Sequence, residues 1–331
     1  MDYAWIEEST LIDIADAIRN QTATAESLDL KDMIITMDQI KNFGQYLFSK
    51  KEMEGSSVIG YAVADELAKY PDEGWQDGYY WECVGTPPPP CKIVSWADGT
   101  DEEIVAMVSA ADAGYINLAD YWSVGDERTM SLSAMSATGV GESHATQTVT
   151  MVLMNAGGKE LADGRECSFI VGSKSPLVSR GYMNSGTANT GSWESSARRT
   201  WCNNVFYNAV PESIRSIFKQ HKNITASDYN SVDLTTSLDY FALPAMKEII
   251  GNELANNNTG GSTVNEFNAL NQFEYYKDVN TRKLSDASGA YYWWLRSPFS
   301  TSYQFCCVNT SGMNSCYTSN SKLMITPFGC I

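Results

Sequence analysis

The chain has 331 residues, 43% of them hydrophobic, with nine Trp and eighteen Tyr, so it exceeds the usual single domain and can build a packed core. Its formal charge of −17 repels phosphate backbones and anionic lipid, which disfavours nucleic-acid binding. No run of about twenty apolar residues is present for membrane insertion, and MDYAWIEEST is acidic where a secretion signal is basic and then apolar, so synthesis in the cytoplasm without such an address is expected.

The first fifty residues read as helical. After the caps Ser9 and Thr10, apolar residues fall at Leu11, Ile14, Ala15 and Ile18, and again at Leu30, Met33, Ile34, Met37 and Ile40, one greasy stripe per helix. Two short amphipathic helices bury such stripes only against each other, the rest of the chain or further copies, so residues 1–50 are expected to be an attachment or oligomerisation segment. Residues 51–92 read as a linker, ending in Pro87 to Pro90, an extended spacer at about 3.1 Å per residue. The main domain is expected over 93–331.

That domain opens on a helix, with Thr100 and Glu103 as its capping box and Ile104, Val105, Val108 and Ala111 on one face; a calcium loop at Asp98 and Asp101 is the alternative. TMSLSAM and TQTVTMVLMN alternate as half-buried strands, and CSFIVG reads as a short buried one. Next, a helix is predicted to start near Pro211 and present Ile214, Ile217 and Phe218, and another in LPAMKEIIG, closed by Gly251. GNELANNNTGGSTVNEFN reads as an exposed loop. Runs of strands with few helices predict an α+β fold.

Enzyme signatures are scarce. Glu142, Ser143 and His144 are consecutive, and neighbours on a strand face opposite ways, so they read as a turn before a triad. Arg198 and Arg199 read as structural ion pairs before a carboxylate clamp. Eight cysteines in no C-x-x-C pair and two histidines give neither a metal site nor a cofactor, and buried free thiols are the plain reading. Of the tandem Trp293 and Trp294, one ring is expected in the core and the other outward.

The last 41 residues, from Tyr291, carry no acid and only two bases, Arg296 and Lys322. Phe299 to Ser321 holds twelve Ser, Thr and Asn among 23 residues, interleaved with Tyr303, Phe305, Met313 and Tyr317. Rigid rings among small adaptable polar groups make a paratope-like mixture, while a low-complexity linker is the bland alternative. A linker leads somewhere, whereas this run is bounded by apolar segments at both ends.

The order SWESSARRTWCNNVFYNAVP, a helix, LPAMKEIIG, AYYWWLRSP, a Ser/Asn/Tyr-rich stretch and TPFGCI resembles the DUF6273-type domain of phage and prophage proteins of Gram-positive bacteria. That family is similar to the C-type-lectin fold, shared with the formylglycine-generating enzymes, used by variable proteins of diversity-generating retroelements. ESTLIDIADAIRNQTATAESLDLKDMIITMDQI separately resembles a short repeat of phage tail-fibre and tail-tip proteins. Together the resemblances cover roughly residues 1 to 45 and 93 to 331. One position departs from the pattern: Met324 stands where a Gly is expected, leaving the last turn before the terminal strand open.

The resemblance implies a C-type-lectin-like domain in which YYWWLRSP and ITPFGCI pair as buried anchors and the surface near 299–323 is displayed between them. Its ligand residues would be Phe299, Ser300, Tyr303, Cys307, Asn309, Asn314, Cys316, Tyr317, Ser319 and Ser321. All ten lie within the set that an AAC codon reaches when its adenines are altered, whereas Gln304, Met313 and Lys322 do not. The expected function is a tail-tip receptor-binding protein in the virion, meeting a host-surface receptor, protein or glycan, and other tail proteins through its N-terminal helices, as a homo-oligomer, by analogy a trimer. A bacterial surface or cytosolic binding protein of the same fold is the alternative, separable by gene context. An oxidase resembling the formylglycine-generating group is the remote one, and the divergence expected of Cys306 and Cys307 on a strand speaks against it.

Overall fold

The computed structural model describes residues 91–174, 177, 180–229, 231–252, 263–286 and 289–331, together with three strands nearer the N-terminus. The helices expected at 11–18 and 30–40 and the spacer Pro87–Pro90 lie outside the described residues. Residues 47–50, read with those helices, instead open a strand. The chain divides into two compact units, Met1–Ile93 with Ser109–Ile116, and Val94–Val108 with Asn117–Ile331.

In the first unit, β1 (Leu47–Glu52) lies between β2 (Val58–Val63) and β3 (Tyr79–Cys83), antiparallel to both.

The second unit is a strand-rich mixture of α and β with several sheets and few helices. Its first helix, α1 (Asp101–Asp112), starts as its capping box dictates. The Thr100 N–H donates to Glu103 Oε2 at 2.9 Å and the Glu103 N–H to Thr100 Oγ1 at 3.3 Å. Ile104, Met107 and Val108 are its buried side. The carboxylates considered for calcium are engaged: Asp98 accepts from Ser95 Oγ at 2.8 Å, and Asp101 from Arg128 and Ser213.

β4 (Glu127–Leu132), β5 (Gln147–Ala156) and β6 (Phe169–Ser173) form an antiparallel sheet in the segments where alternation predicts strands. β4 alternates exposed and buried residues, whereas β6 is buried throughout, so the sheet is covered more deeply towards its other edge. β7 (Arg180–Gly181) follows. The segment α2 starts as Ala197–Trp201, capped by Ser196, passes through a π-helical stretch, Cys202–Phe206, and ends as Tyr207–Ala209. One turn, α3 (Glu212–Arg215), buries Ile214 and is followed by buried Ile217 and Phe218. β8 (His221–Ala226) and β9 (Leu234–Asp239) form a ribbon. α4 (Met246–Ile250) ends at Gly251, whose φ of +66° favours a residue without Cβ. α5 (Thr263–Ala269) replaces the last part of the loop expected there, and it buries Glu266.

β10 (Leu284–Asp286) and β11 (Gly289–Tyr291) pair before the long C-terminal sheet. That sheet has the order β14-β13-β12-β15-β7, from β12 (Trp293–Pro298), β13 (Gln304–Val308), β14 (Asn314–Thr318) and β15 (Leu323–Met324). β16 (Phe328–Cys330) leaves it and pairs with β6, so the segments expected to pair with each other as anchors are buried in different sheets. Only Trp293 with Met324 joins β12 to the closing segment, in parallel. At the position where a Gly is expected, Met324 donates its N–H to Tyr292 O at 3.0 Å.

Neither Trp of the tandem pair faces out. Trp293 is 1% exposed and Trp294 0%, because β12 runs between two neighbours and both of its faces are covered. The Trp293 indole donates to Arg282 O at 3.0 Å, and that of Trp294 to Gly181 O at 2.8 Å.

Candidate functional site

The C-terminal hairpin is built on buried strands. β12 is buried along its whole length and β13 from Phe305 to Val308, so only the connections and the edge strand β14 reach solvent. The backbone bonds Ser319 N–H to Tyr303 O, 2.9 Å, and Asn309 N–H to Met313 O, 2.8 Å, bracket the β13–β14 pairing and fix its register.

The connection from β12 to β13 is held from outside. Asn189 donates from Nδ2 to the carbonyls of Thr301 and Gln304, each at 2.6 Å, and from its N–H to Ser302 O at 3.0 Å. Phe299 N–H donates to Gln304 O at 3.0 Å. Phe299 and Ser300 are half-buried on this connection, and Tyr303 is 45% exposed. Beside them come Tyr317, 38% exposed, and half-buried Ser321, whose Oγ meets Thr318 Oγ1 at 2.7 Å. The ring of Tyr317 meets that of Tyr292 edge-on at 5.2 Å.

Two expected ligand residues are core residues. Cys307 is 0% exposed, inside the central part of the sheet beside Trp294. Ser319 is 0% exposed because its Oγ donates to Gly186 O and Ala188 O, at 2.9 and 3.2 Å, while its own carbonyl accepts from Met183 and Asn184. Neither can touch a partner while the sheet is intact.

The remaining residues do not form one patch. Asn309 and Asn314 sit at the opposite end of the hairpin, one five-residue strand away at about 3.4 Å per residue. Asn309 is spent on its own turn, with Oδ1 accepting from the N–H groups of Ser311 and Met313 at 2.8 and 3.0 Å. That turn needs Gly312, at φ +80°, where a Cβ would lie 2.8 Å from Val279 O. Cys316 is half-buried opposite Cys306, on the other face of β14 from Tyr317. The coherent surface is therefore Phe299, Ser300, Tyr303, Tyr317 and Ser321, with Tyr292 added. Tyr292, just before β12, is placed there by its ring contact with Tyr317, which no local pattern encodes.

The other chemically suggestive residues serve the fold. Arg199 does hold a carboxylate, but an internal one: its Nε lies 2.6 Å from Asp239 Oδ1. The Trp193 indole, Asn203, Asn223 and Ser237 converge on the same carboxylate at 3.0, 3.0, 3.2 and 2.7 Å. Much of the SWESSARRTWCNN signature is thereby accounted for. Arg198 donates to Tyr182 O and Val140 O, and burial pulls its guanidinium down to about 10. Met135 and His144 bridge across a loop that contains Glu142 and Ser143, both exposed, and Glu142 pairs with Lys322 at 2.5 Å.

Below the sheet lies a charged core. Arg296 uses all five donors: Nη1 and Nη2 grip Glu248 at 2.6 and 2.9 Å and also reach Leu243 O and Ile224 O, while Nε reaches Thr225 Oγ1. Lys159 also donates to Glu248. Burial by itself would raise the Glu248 carboxyl, but Arg296 and Lys159 outweigh it and hold it at about 2. Glu266 accepts from Ala226 N–H at 2.8 Å and from Ser297 Oγ, and burial pushes its carboxyl up.

Fold and site together define a strand-rich domain that presents an uncharged, tyrosine-bearing hairpin end on buried strands. Residues 170–331 are similar to the family described as a domain of unknown function, DUF6273, a match that starts within β6 and takes in the whole hairpin. No curated protein matches the chain, and no solved structure does.

Proposed function

We propose that this protein is a receptor-binding protein of a phage or prophage tail tip, an adhesin whose main domain is C-type-lectin-like and meets its host receptor through the Tyr303–Tyr317 end of the hairpin. The observation that carries the reading is the exposure of these two rings on a frame buried on both sides, with no charged residue between Arg296 and Lys322. Such a tip brings area and adaptable hydrogen bonding to a partner without desolvating ions. The resemblance of the chain to phage tail proteins and to retroelement variable proteins supports the biological setting. In this reading Phe299, Ser300, Tyr303, Tyr317 and Ser321 are the positions open to adenine-directed diversification, and residues 1–50 attach the domain to other tail proteins as a homo-oligomer. No catalytic step is part of it.

The test compares host adsorption with melting temperature for the Tyr303→Ala, Tyr317→Ala double variant. Adsorption should be lost while the variant stays folded, with Tyr303→Ala changing stability by less than about 0.5 kcal/mol and Tyr317→Ala, which gives up its edge-on contact with Tyr292, by about 0.5–1.5 kcal/mol. Full adsorption by the folded variant would move the binding surface elsewhere, and an unfolded variant would make the rings structural.

A further inference from the structure

A groove of about 340 Å³ opens where the chain after β5, the end of α2, the turn after α3 and the end of β9 meet. Its size is at the low end of the about 300–1,000 Å³ of ligand clefts. Leu161, Ala162 and Phe218 contribute apolar lining, and Tyr207 and Tyr240 line it as a stacked pair, ring centroids 4.4 Å apart and planes at 29°. Both rings are half-buried, so part of each remains open.

The pair is held in place before any ligand arrives. Tyr240 N–H donates to Asn203 Oδ1 at 2.7 Å, and the Arg215 guanidinium lies 5.6 Å from the Tyr207 ring centroid while donating to Val210 O and Asn208 O. The floor is equally fixed, with Ala162 N–H on Gln220 O at 2.8 Å and Leu161 bridged to His221. A site that needs no reordering loses little affinity to entropy.

Polar groups stand beside the rings: Asp163, Ser216, Lys219 and Gln220 complete the lining. The lining carries one acid, Asp163, and one base, Lys219, so its charge balances and neither an anion nor a cation is favoured as a whole. Tyr240 and Arg215 take the two faces of Tyr207, so the fitting ligand is neutral, with one flat C–H face for the outer face of Tyr240 and an edge of hydroxyls for the side chains. We propose that this groove is a second binding site, for a neutral hexopyranose, either a free sugar or the terminal unit of a glycan. It shares no residue with the C-terminal hairpin surface and does not depend on the adhesin reading.

The experiment displays the full chain to an array of neutral mono- and oligosaccharides and measures competition by the free monosaccharides. At least one hexopyranoside should be retained. Its binding should weaken about tenfold or more in Tyr240→Ala, which removes one ring, and in Ala162→Trp, which fills the groove from an exposed position and spares the core. The Tyr303→Ala, Tyr317→Ala variant should retain the sugar unchanged. Competition by the free sugar marks a monosaccharide site, and retention of oligosaccharides without it marks a glycan terminus. The proposal is overturned if no neutral pyranoside binds, if folded Ala162→Trp binds as before, or if the hairpin variant loses the sugar instead.

Discussion

At the scale of single residues, side-chain burial separates three neighbouring thiols. Cys306 and Cys307 are consecutive on β13, face opposite sides of the sheet and are both fully buried. Burial pushes both thiols up, Cys307 to about 12, while Cys316, half-buried on the edge strand, is raised by burial as well. Iodoacetamide at mildly alkaline pH is therefore expected to label Cys316 slowly, and Cys306 and Cys307 only in denaturant. Peptide mapping by mass spectrometry checks this, and label on Cys306 or Cys307 in the folded protein would mean that the hairpin opens. The same contrast explains what composition could reveal of the surface. The exposure of Tyr303 and Tyr317 is legible in a run rich in Ser, Asn and Tyr. The burial of Cys307 is not, because Phe305 to Val308 is a short apolar run hidden within a polar stretch read as one displayed surface. Ser319 was beyond local reading altogether, since its carbonyl partners Gly186 and Ala188 lie more than a hundred residues earlier.

At the scale of elements, periodicity and caps located what they can locate. The Thr100–Glu103 box placed α1, and alternation placed β4 and β5, because those signals act over a few residues. The WLRSP segment behaves differently. Its Arg296 ties β12 to α4 through Glu248, and its Ser297 ties β12 to α5 through Glu266, contacts that span tens of residues and leave no local pattern. Nor could the sequence tell that β12 is covered on both faces, so the outward Trp it suggests is absent. Glu248→Gln tests the network, since it leaves Arg296 and Lys159 buried without their shared counter-charge. A loss of about 3–5 kcal/mol is expected in chemical denaturation. A loss under about 1 kcal/mol would mean that water reaches these cations and that the network holds less of the fold together than its geometry implies.

At the scale of the whole molecule, the buried charges make stability depend on pH in a direction that can be derived. His221 is 0% exposed, its ring 5.2 Å from that of Phe328, with Nε2 lacking a hydrogen-bond partner among the described residues. Burial, reinforced by nearby Lys159, depresses its pKa from 6.5 to about 3. Between those values the unfolded chain binds a proton that the folded chain refuses, so stability is fully present above about pH 6.5 and falls as pH falls. At about 1.36 kcal/mol per unit, the loss from this residue reaches about 2 kcal/mol by pH 5. Glu248, held down at about 2, has the same sign, but its contribution is lost only below its ordinary value of 4.5. Glu266 has the opposite sign: its raised carboxyl contributes stability below 4.5 that is lost as pH rises through the folded value. His221 thus drives the fall from neutrality to pH 5, and Glu266 offsets it over whatever part of that interval its raised carboxyl titrates in. The melting temperature should drop over that interval, and His221→Gln, whatever its own cost at pH 7, should flatten the slope. A thermal-melt series across pH 7 to 5 on both proteins decides it. An unchanged slope in the variant would place the acid-labile group elsewhere and show that the His221 ring takes up a proton inside the folded core.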